Sequence, residues 1–186
     1  MSRVISKFLL KLLGWRIDEE LFLTEKKAVA IMAPHTSNWD FFLAKMAFDV
    51  VGLKVGFLIK KEAFFFPFAG WLKREGGIPV DRRKKTDLVN QIVERMDSEE
   101  EFIIAITPEG TRSPVKYWKK GFYSIAVKAN LPIFIGYIDY KRKVGGIAKV
   151  MYPTGNMQKD FEEIVAFYKT ITPRHPEKYI KAPKLR

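Results

Sequence analysis

The chain has no cysteine, so it forms no disulfide and offers no thiolate as nucleophile or metal ligand; a reducing compartment suits it. Its two histidines, His35 and His175, lie far apart and there is no His-Glu-x-x-His, which argues against a zinc site. Neither a P-loop nor a Gly-x-Gly-x-x-Gly fingerprint is present, and Gly76-Gly77 and Gly145-Gly146 read as turn glycines. Ser37 and Ser113 are available hydroxyls, but no Gly-x-Ser-x-Gly elbow makes either a recognisable nucleophile. No run approaches the roughly 18 apolar residues that a membrane-spanning helix needs. Acidic residues are scarce: 21 Asp and Glu face 33 Lys and Arg, a net charge of +12 that favours nucleic acid, anionic lipid or a phosphorylated substrate as partner.

What is present describes a folded protein. A length of 186 residues with 47% hydrophobic and 29% charged residues suits one domain with short appendages. Fifteen Phe and four Trp on a basic chain lean toward a lipid surface as much as toward RNA. Near the N-terminus Val4, Ile5, Phe8, Leu9, Leu12 and Leu13 recur at helical spacing, with Arg3, Lys7 and Lys11 on another face. That pattern is an interfacial amphipathic helix, or equally a terminal helix packed on its own domain. A linker, Gly14 to Lys27, follows, with a short element at Glu20 to Leu23.

Short apolar runs at Ala28–Met32, Lys54–Ile59, Gly76–Arg82, Phe102–Ile106, Pro132–Ile138 and Ile147–Tyr152 read as strands. The proline in the third places it at a sheet edge or a strand end. Helical patterns cover Phe41–Val51, Thr86–Ser98, Gly121–Ala129 and a closing helix marked by Met157, Phe161, Ile164, Val165 and Tyr168. Phe64, Phe65, Phe66, Phe68 and Trp71 exceed what one amphipathic face can hide, so they form a buried corner or an apolar surface. The alternation predicts an α/β domain: a central, largely parallel sheet flanked by helices, plus the N-terminal amphipathic helix. The expected divisions are 1–14 for that helix, 15–172 for the domain, and 173–186 for a loosely held basic, Pro-containing tail on which His175 is a solvated residue.

In such a fold the loops at strand carboxyl ends share one crevice. Three are rich in functional groups: 35–40, 76–82 and 107–113. In the first, Ser37 and Asp40 fit a capping box, while His35 and Asp40 can also form an imidazole–carboxylate pair. Without a protein nucleophile, His35 would deprotonate a substrate hydroxyl as it attacks an activated acyl carbon. Arg82 and Arg112 beside the crevice suit a phosphorylated acceptor.

These segments resemble the blocks of the glycerolipid acyltransferases, the group typified by 1-acylglycerol-3-phosphate acyltransferase. His35 and Asp40 match the His-x4-Asp block, Gly76 or Gly77 through Ile78, Pro79, Val80 and Arg82 match Gly-x-Ile-x-Val-x-Arg, and Pro108 to Ser113 carry Pro-Glu-Gly-Thr-Arg-Ser in full. Lys61, Glu62, Pro67 and Gly70 are also similar to family members. The fourth block departs, because only Pro132 of its two prolines precedes Ile133-Phe134-Ile135-Gly136. The resemblance spans residues 28 to 136. It implies acyl transfer from acyl-CoA or acyl-carrier protein to the hydroxyl of a lysophospholipid, with no cofactor. His35 would be the base and Asp40 its partner, and Arg82, Glu109, Gly110, Thr111, Arg112 and Lys61 would bind substrate.

The chain is thus expected at the cytoplasmic face of a membrane, peripherally bound to its anionic surface. The same chemistry on a lyso-aminolipid or another hydroxylated lipid is the alternative. A nucleic-acid-binding module, suggested by the charge and by Lys116-Tyr117-Trp118-Lys119-Lys120, is disfavoured because no RNP, helix-turn-helix or KH pattern accompanies it.

Overall fold

Ala28, Val29, Ala30 and Ile31 are consecutive, apolar and fully buried, so the strand that holds them is covered on both faces and must lie inside a layered fold. The computed structural model describes residues 2–18, 24–80 and 88–186. In chain order the elements are α1 (Arg3–Leu12), β1 (Arg16–Asp18), β2 (Lys27–Met32), α2 (Trp39–Val51), β3 (Val55–Lys60), α3 (Phe68–Arg74), β4 (Gly77–Val80) and α4 (Leu88–Ser98). There follow β5 (Phe102–Ile106), β6 (Tyr117–Trp118), α5 (Gly121–Lys128), β7 (Ile133–Asp139), β8 (Val144–Met151), α6 (Met157–Tyr168) and β9 (Lys184–Leu185). The expected element at Glu20 to Leu23 and residues 81–87 lie outside the described residues.

Seven strands form one sheet in the order β1-β8-β7-β2-β5-β3-β4. The five from β7 to β4 are mutually parallel, and β8 runs antiparallel to β7. The α/β fold with a mostly parallel sheet is as the alternation predicted. Side chains alternate across it. Val29, Ile31, Phe102, Ile104, Ile133 and Ile135 face one core, closed by α4, α5 and α6. Ala28, Ala30, Ile103, Ala105 and Phe134 face the other, where α2 and Leu10 of α1 pack.

Pro79 in β4 fits its place, because β4 is the sheet edge and needs no donor on its outer side. Three features differ from expectation. The Gly14–Lys27 linker contains β1, which pairs with β8; a three-residue strand is too short to show periodicity. Gly145 and Gly146 are strand residues, not turn residues, and a Cβ on Gly146 would stand 2.8 Å from that of Asp18. The tail is tied down: β9 pairs in parallel with β6, and Arg186 N–H donates to the Trp118 carbonyl.

α1 is capped by Ser2, whose Oγ accepts from Ile5 N–H, and rests on α2 through Leu10 and Ser6, whose hydroxyl donates to Asp49. Its broader apolar face remains exposed at Val4, Ile5, Phe8, Leu12 and Leu13. The aromatic cluster takes the surface alternative: Phe65, Phe66, Phe68 and Trp71 are exposed, Phe66 at 93%. Among the described residues no helix is long and apolar enough to cross a membrane.

Candidate active site

β2 ends at Met32 and the chain turns through Ala33 to Asn38 before α2 begins at Trp39. Asp40, in the first turn of α2, reaches back over this turn. Its Oδ2 accepts from the N–H groups of Thr36 and Ser37 at 2.9 Å each and lies 3.1 Å from His35 Nδ1. The capping box is therefore half realised. Asp40 returns to the Ser37 amide, but the Ser37 hydroxyl accepts from Trp39 N–H, and Asn38 holds the cap position without a side-chain bond. The loop fold and the imidazole–carboxylate pair are one arrangement.

Burial raises the Asp40 carboxyl, but hydrogen bonds from His35, Tyr140 and the Ser37 amide outweigh it, so the net direction is down. A carboxylate can only accept, so the nitrogen facing it, Nδ1, carries the proton and Nε2 is left with its lone pair.

The adjacent parallel strand β5 delivers the second loop. Gly110 N–H closes a turn on the Thr107 carbonyl with φ at +65°, a left-handed conformation that favours glycine. This turn places Glu109 in the interior, where Oε1 accepts from the His35 amide at 3.0 Å. Glu109 thus braces backbone and ties the β5 loop to the β2 loop. Among the described residues its Oε2 has no hydrogen-bond partner, nor has the buried Tyr179 hydroxyl, and both residues line a cavity of about 10 Å³ with His35. Burial pushes the Glu109 carboxyl up to about 7 against the His35 amide bond that favours its ionised form.

Thr111 shapes the same loop, its Oγ1 accepting from Ser113 N–H, and Arg112 is exposed beside Thr36 and Trp39. Lys61 stands at the carboxyl end of β3, two strands from β2 and so about 10 Å off by interstrand spacing. Arg82 falls outside the described residues. His35, Asp40 and Glu109 are thus brought together, with Arg112 near them.

The structure adds residues that sequence reasoning missed. The Tyr140 hydroxyl donates to Asp40 Oδ1 at 2.6 Å, and burial with this bond pushes its own pKa up. Tyr140 directly follows β7, the other neighbour of β2, so the strand-end rule would have found it had β7 been extended to Asp139. From the tail, His175 N–H donates to Thr36 Oγ1 at 3.2 Å, and Arg174 and Lys178 line a cleft with Arg112. His175 is therefore half-buried against the site rather than freely solvated, because the tail folds back over the β2 loop.

A parallel sheet that gathers an imidazole and its carboxylate partner at one edge places the molecule among the α/β enzymes whose chemistry sits on strand-end loops. The acyltransferase family model matches residues 16–137, and the chain belongs to that family. No curated protein and no solved structure gave a significant match. The match takes in His35, Asp40 and Glu109 and stops before Tyr140 and the tail.

Proposed function

We propose that this acyltransferase moves a fatty acyl group from acyl-CoA or acyl-carrier protein to the hydroxyl of a lysophospholipid such as 1-acylglycerol 3-phosphate, in phospholipid synthesis. The observation that carries the reading is the His35–Asp40 pair, whose carboxylate is held by two loop amides and a tyrosine hydroxyl.

His35 Nε2 takes the proton of the acceptor hydroxyl as its oxygen bonds to the thioester carbonyl carbon, while Asp40 balances the imidazolium. As the tetrahedral intermediate collapses, the C–S bond breaks and the imidazolium returns the proton to the departing thiolate. The ester and a free thiol are the products, and no acyl-enzyme forms. General-base help of this kind contributes about 10²–10⁴-fold in rate. Arg112 and Arg82 hold the acceptor head group, with Lys61 further along the sheet edge; Glu109, Gly110 and Thr111 shape the loop that presents Arg112.

Lipid substrates call for an interface. The exposed apolar face of α1 and the exposed Phe65, Phe66 and Phe68 support insertion into the headgroup region, and the charge of +12 supports an anionic surface. We assign the protein to the cytoplasmic face of a membrane on these grounds.

The test is thiol release from palmitoyl-CoA and palmitoyl-acyl-carrier protein in the presence of mixed lysolipids, with products read by mass spectrometry. A phosphatidate product that His35→Ala no longer forms supports the reading. Equal turnover by His35→Ala overturns the mechanism, and a product from a lyso-aminolipid alone overturns the acceptor.

A further inference from the structure

We propose that the segment 173–178 builds one wall of an acceptor phosphate site, with Arg174 and Lys178 as its cations. The proposal rests on the acyl-transfer reading and extends it to residues beyond the family match, which ends at 137.

An open cleft of about 440 Å³ lies against the β2 loop and the first residue of α2. Thr36 and Trp39 form one side, Arg112 enters from the β5 loop, and Arg174, His175 and Lys178 come from the tail. Two separate segments thus place three cations around one small space, and no carboxylate is among the described residues that line it. The nearest acidic residue of the segment, Glu177, pairs with His175 and is not part of the lining.

The wall is held by its backbone, leaving the charged ends exposed. Ile171 is buried, the Thr172 carbonyl accepts from Tyr140 N–H, His175 N–H is tied to Thr36 Oγ1, and Lys178 N–H closes a turn on the His175 carbonyl. The Arg174 guanidinium lies over the Trp39 ring at 5.6 Å from its centre and also interacts with Tyr140. A cation so stacked is pre-ordered and loses little freedom on meeting an anion.

The position selects the ligand. Thr36 is the neighbour of His35, so an anion in the cleft sits next to the base. In 1-acylglycerol 3-phosphate one carbon separates the free hydroxyl's carbon from the phosphate ester oxygen, so a hydroxyl at His35 brings its phosphate into this space. Arginine suits the phosphate oxygens in paired hydrogen bonds and lysine adds a point charge. A cleft of this size suits a head group rather than a polymer.

The experiment compares the parent with Arg174→Gln/Lys178→Gln in the full chain, using soluble 1-hexanoylglycerol 3-phosphate and its uncharged counterpart 1-hexanoylglycerol. Binding is measured by calorimetry and turnover by thiol release. Losing two charge-assisted contacts should weaken binding of the phosphate acceptor and raise its KM by about tenfold to a hundredfold. The donor KM should hold, any loss with the uncharged acceptor should be much smaller than with the phosphate acceptor, and Arg174→Lys with Lys178→Arg should restore most of the affinity.

Unchanged affinity, or equal losses on both acceptors, overturns the proposal. Inorganic phosphate that competes as tightly as the lysolipid overturns it too, since the site would then be a plain phosphate site. If the double variant fails to fold, Lys178→Gln alone, at an exposed position, carries the same comparison. A parent that binds the phosphate acceptor through these residues but moves no acyl group leaves the site standing and removes the enzyme reading. A parent that acylates only uncharged lipids does the reverse.

Discussion

The Tyr140 hydroxyl donates a 2.6 Å hydrogen bond to Asp40 Oδ1, the carboxylate oxygen that His35 does not use. Both oxygens of Asp40 are therefore held, one by two amides and the imidazole, the other by a phenol just past the end of β7, the strand beside β2. The carboxylate has one orientation available, and the imidazole inherits it.

Tyr140→Phe removes that donor and keeps the ring, which packs edge-on against Trp15. A hydrogen bond to a charged partner contributes about 1.5–3 kcal/mol, so kcat is expected to fall roughly tenfold to a hundredfold while the acceptor KM holds. Because the bond from Tyr140 lowers the Asp40 carboxyl, its loss should move the acidic limb of the pH–rate profile upward. A variant with the parent's kcat and profile would show that Tyr140 does not position Asp40.

Asp40→Asn keeps the size but not the charge. Acyl transfer should drop by about 10²–10⁴-fold, since the imidazolium loses its counter-charge and the tautomer its anchor. Asp40 also organises the loop amides, so thermal denaturation should report about 1–2 kcal/mol lost at neutral pH. Its folded pKa lies below the ordinary value, so this contribution is present above the unfolded value and disappears as pH falls through the folded one. The parent and variant should therefore converge in strong acid; a constant gap across pH would contradict the assignment.

Glu109 predicts the opposite trend. Its carboxyl is raised from 4.5 to about 7, so folding favours the protonated form. The stability due to that proton is complete below 4.5, declines as pH rises through about 7 and then levels, a loss of about 3 kcal/mol. Glu109→Gln retains an acceptor for the His35 amide and cannot ionise, so its denaturation midpoint should exceed the parent's at pH 8 and match it near pH 4. Parallel pH curves for the two proteins would refute this.

The exposed face of α1 gives a prediction about lipid. Burying Phe8 and Leu12 in an interface is favourable by about 1.5–3 kcal/mol each, so Phe8→Asp/Leu12→Asp should release the protein from anionic vesicles in flotation assays. Turnover of a soluble short-chain acceptor should stay at the parent level, because these side chains are exposed and not part of the core. Full vesicle binding by the double variant would move the membrane contact elsewhere.

The parts legible in the sequence are those whose physics is local. β5 over Phe102–Ile106 and the Gly52 end of α2 follow from apolar runs and a turn residue, and His35, Asp40 and Glu109 sit at strand ends where a parallel sheet collects them. What escaped is set by pairings between distant segments. β6 and β9 are two residues each and carry no periodicity, so nothing local marks Lys184–Leu185 as a strand. Tyr140 meets Asp40 across 100 residues only because β7 and β5 flank β2. Gly145 and Gly146 look like a turn until β1 is known to lie against them.

The pairing of β9 with β6 bears on biosynthesis. As the protein is made, the segment bearing His35, Asp40 and Glu109 leaves the ribosome first, and Tyr140 follows with the end of β7. The basic wall at Arg174 and Lys178, and the strand that lashes it down, emerge afterwards. On the proposed reading, a nascent chain therefore holds its proton acceptor before Arg174 and Lys178 can reinforce Arg112, and a ribosome-stalled product ending before Arg174 should bind lysophosphatidate about tenfold to a hundredfold more weakly than the released chain.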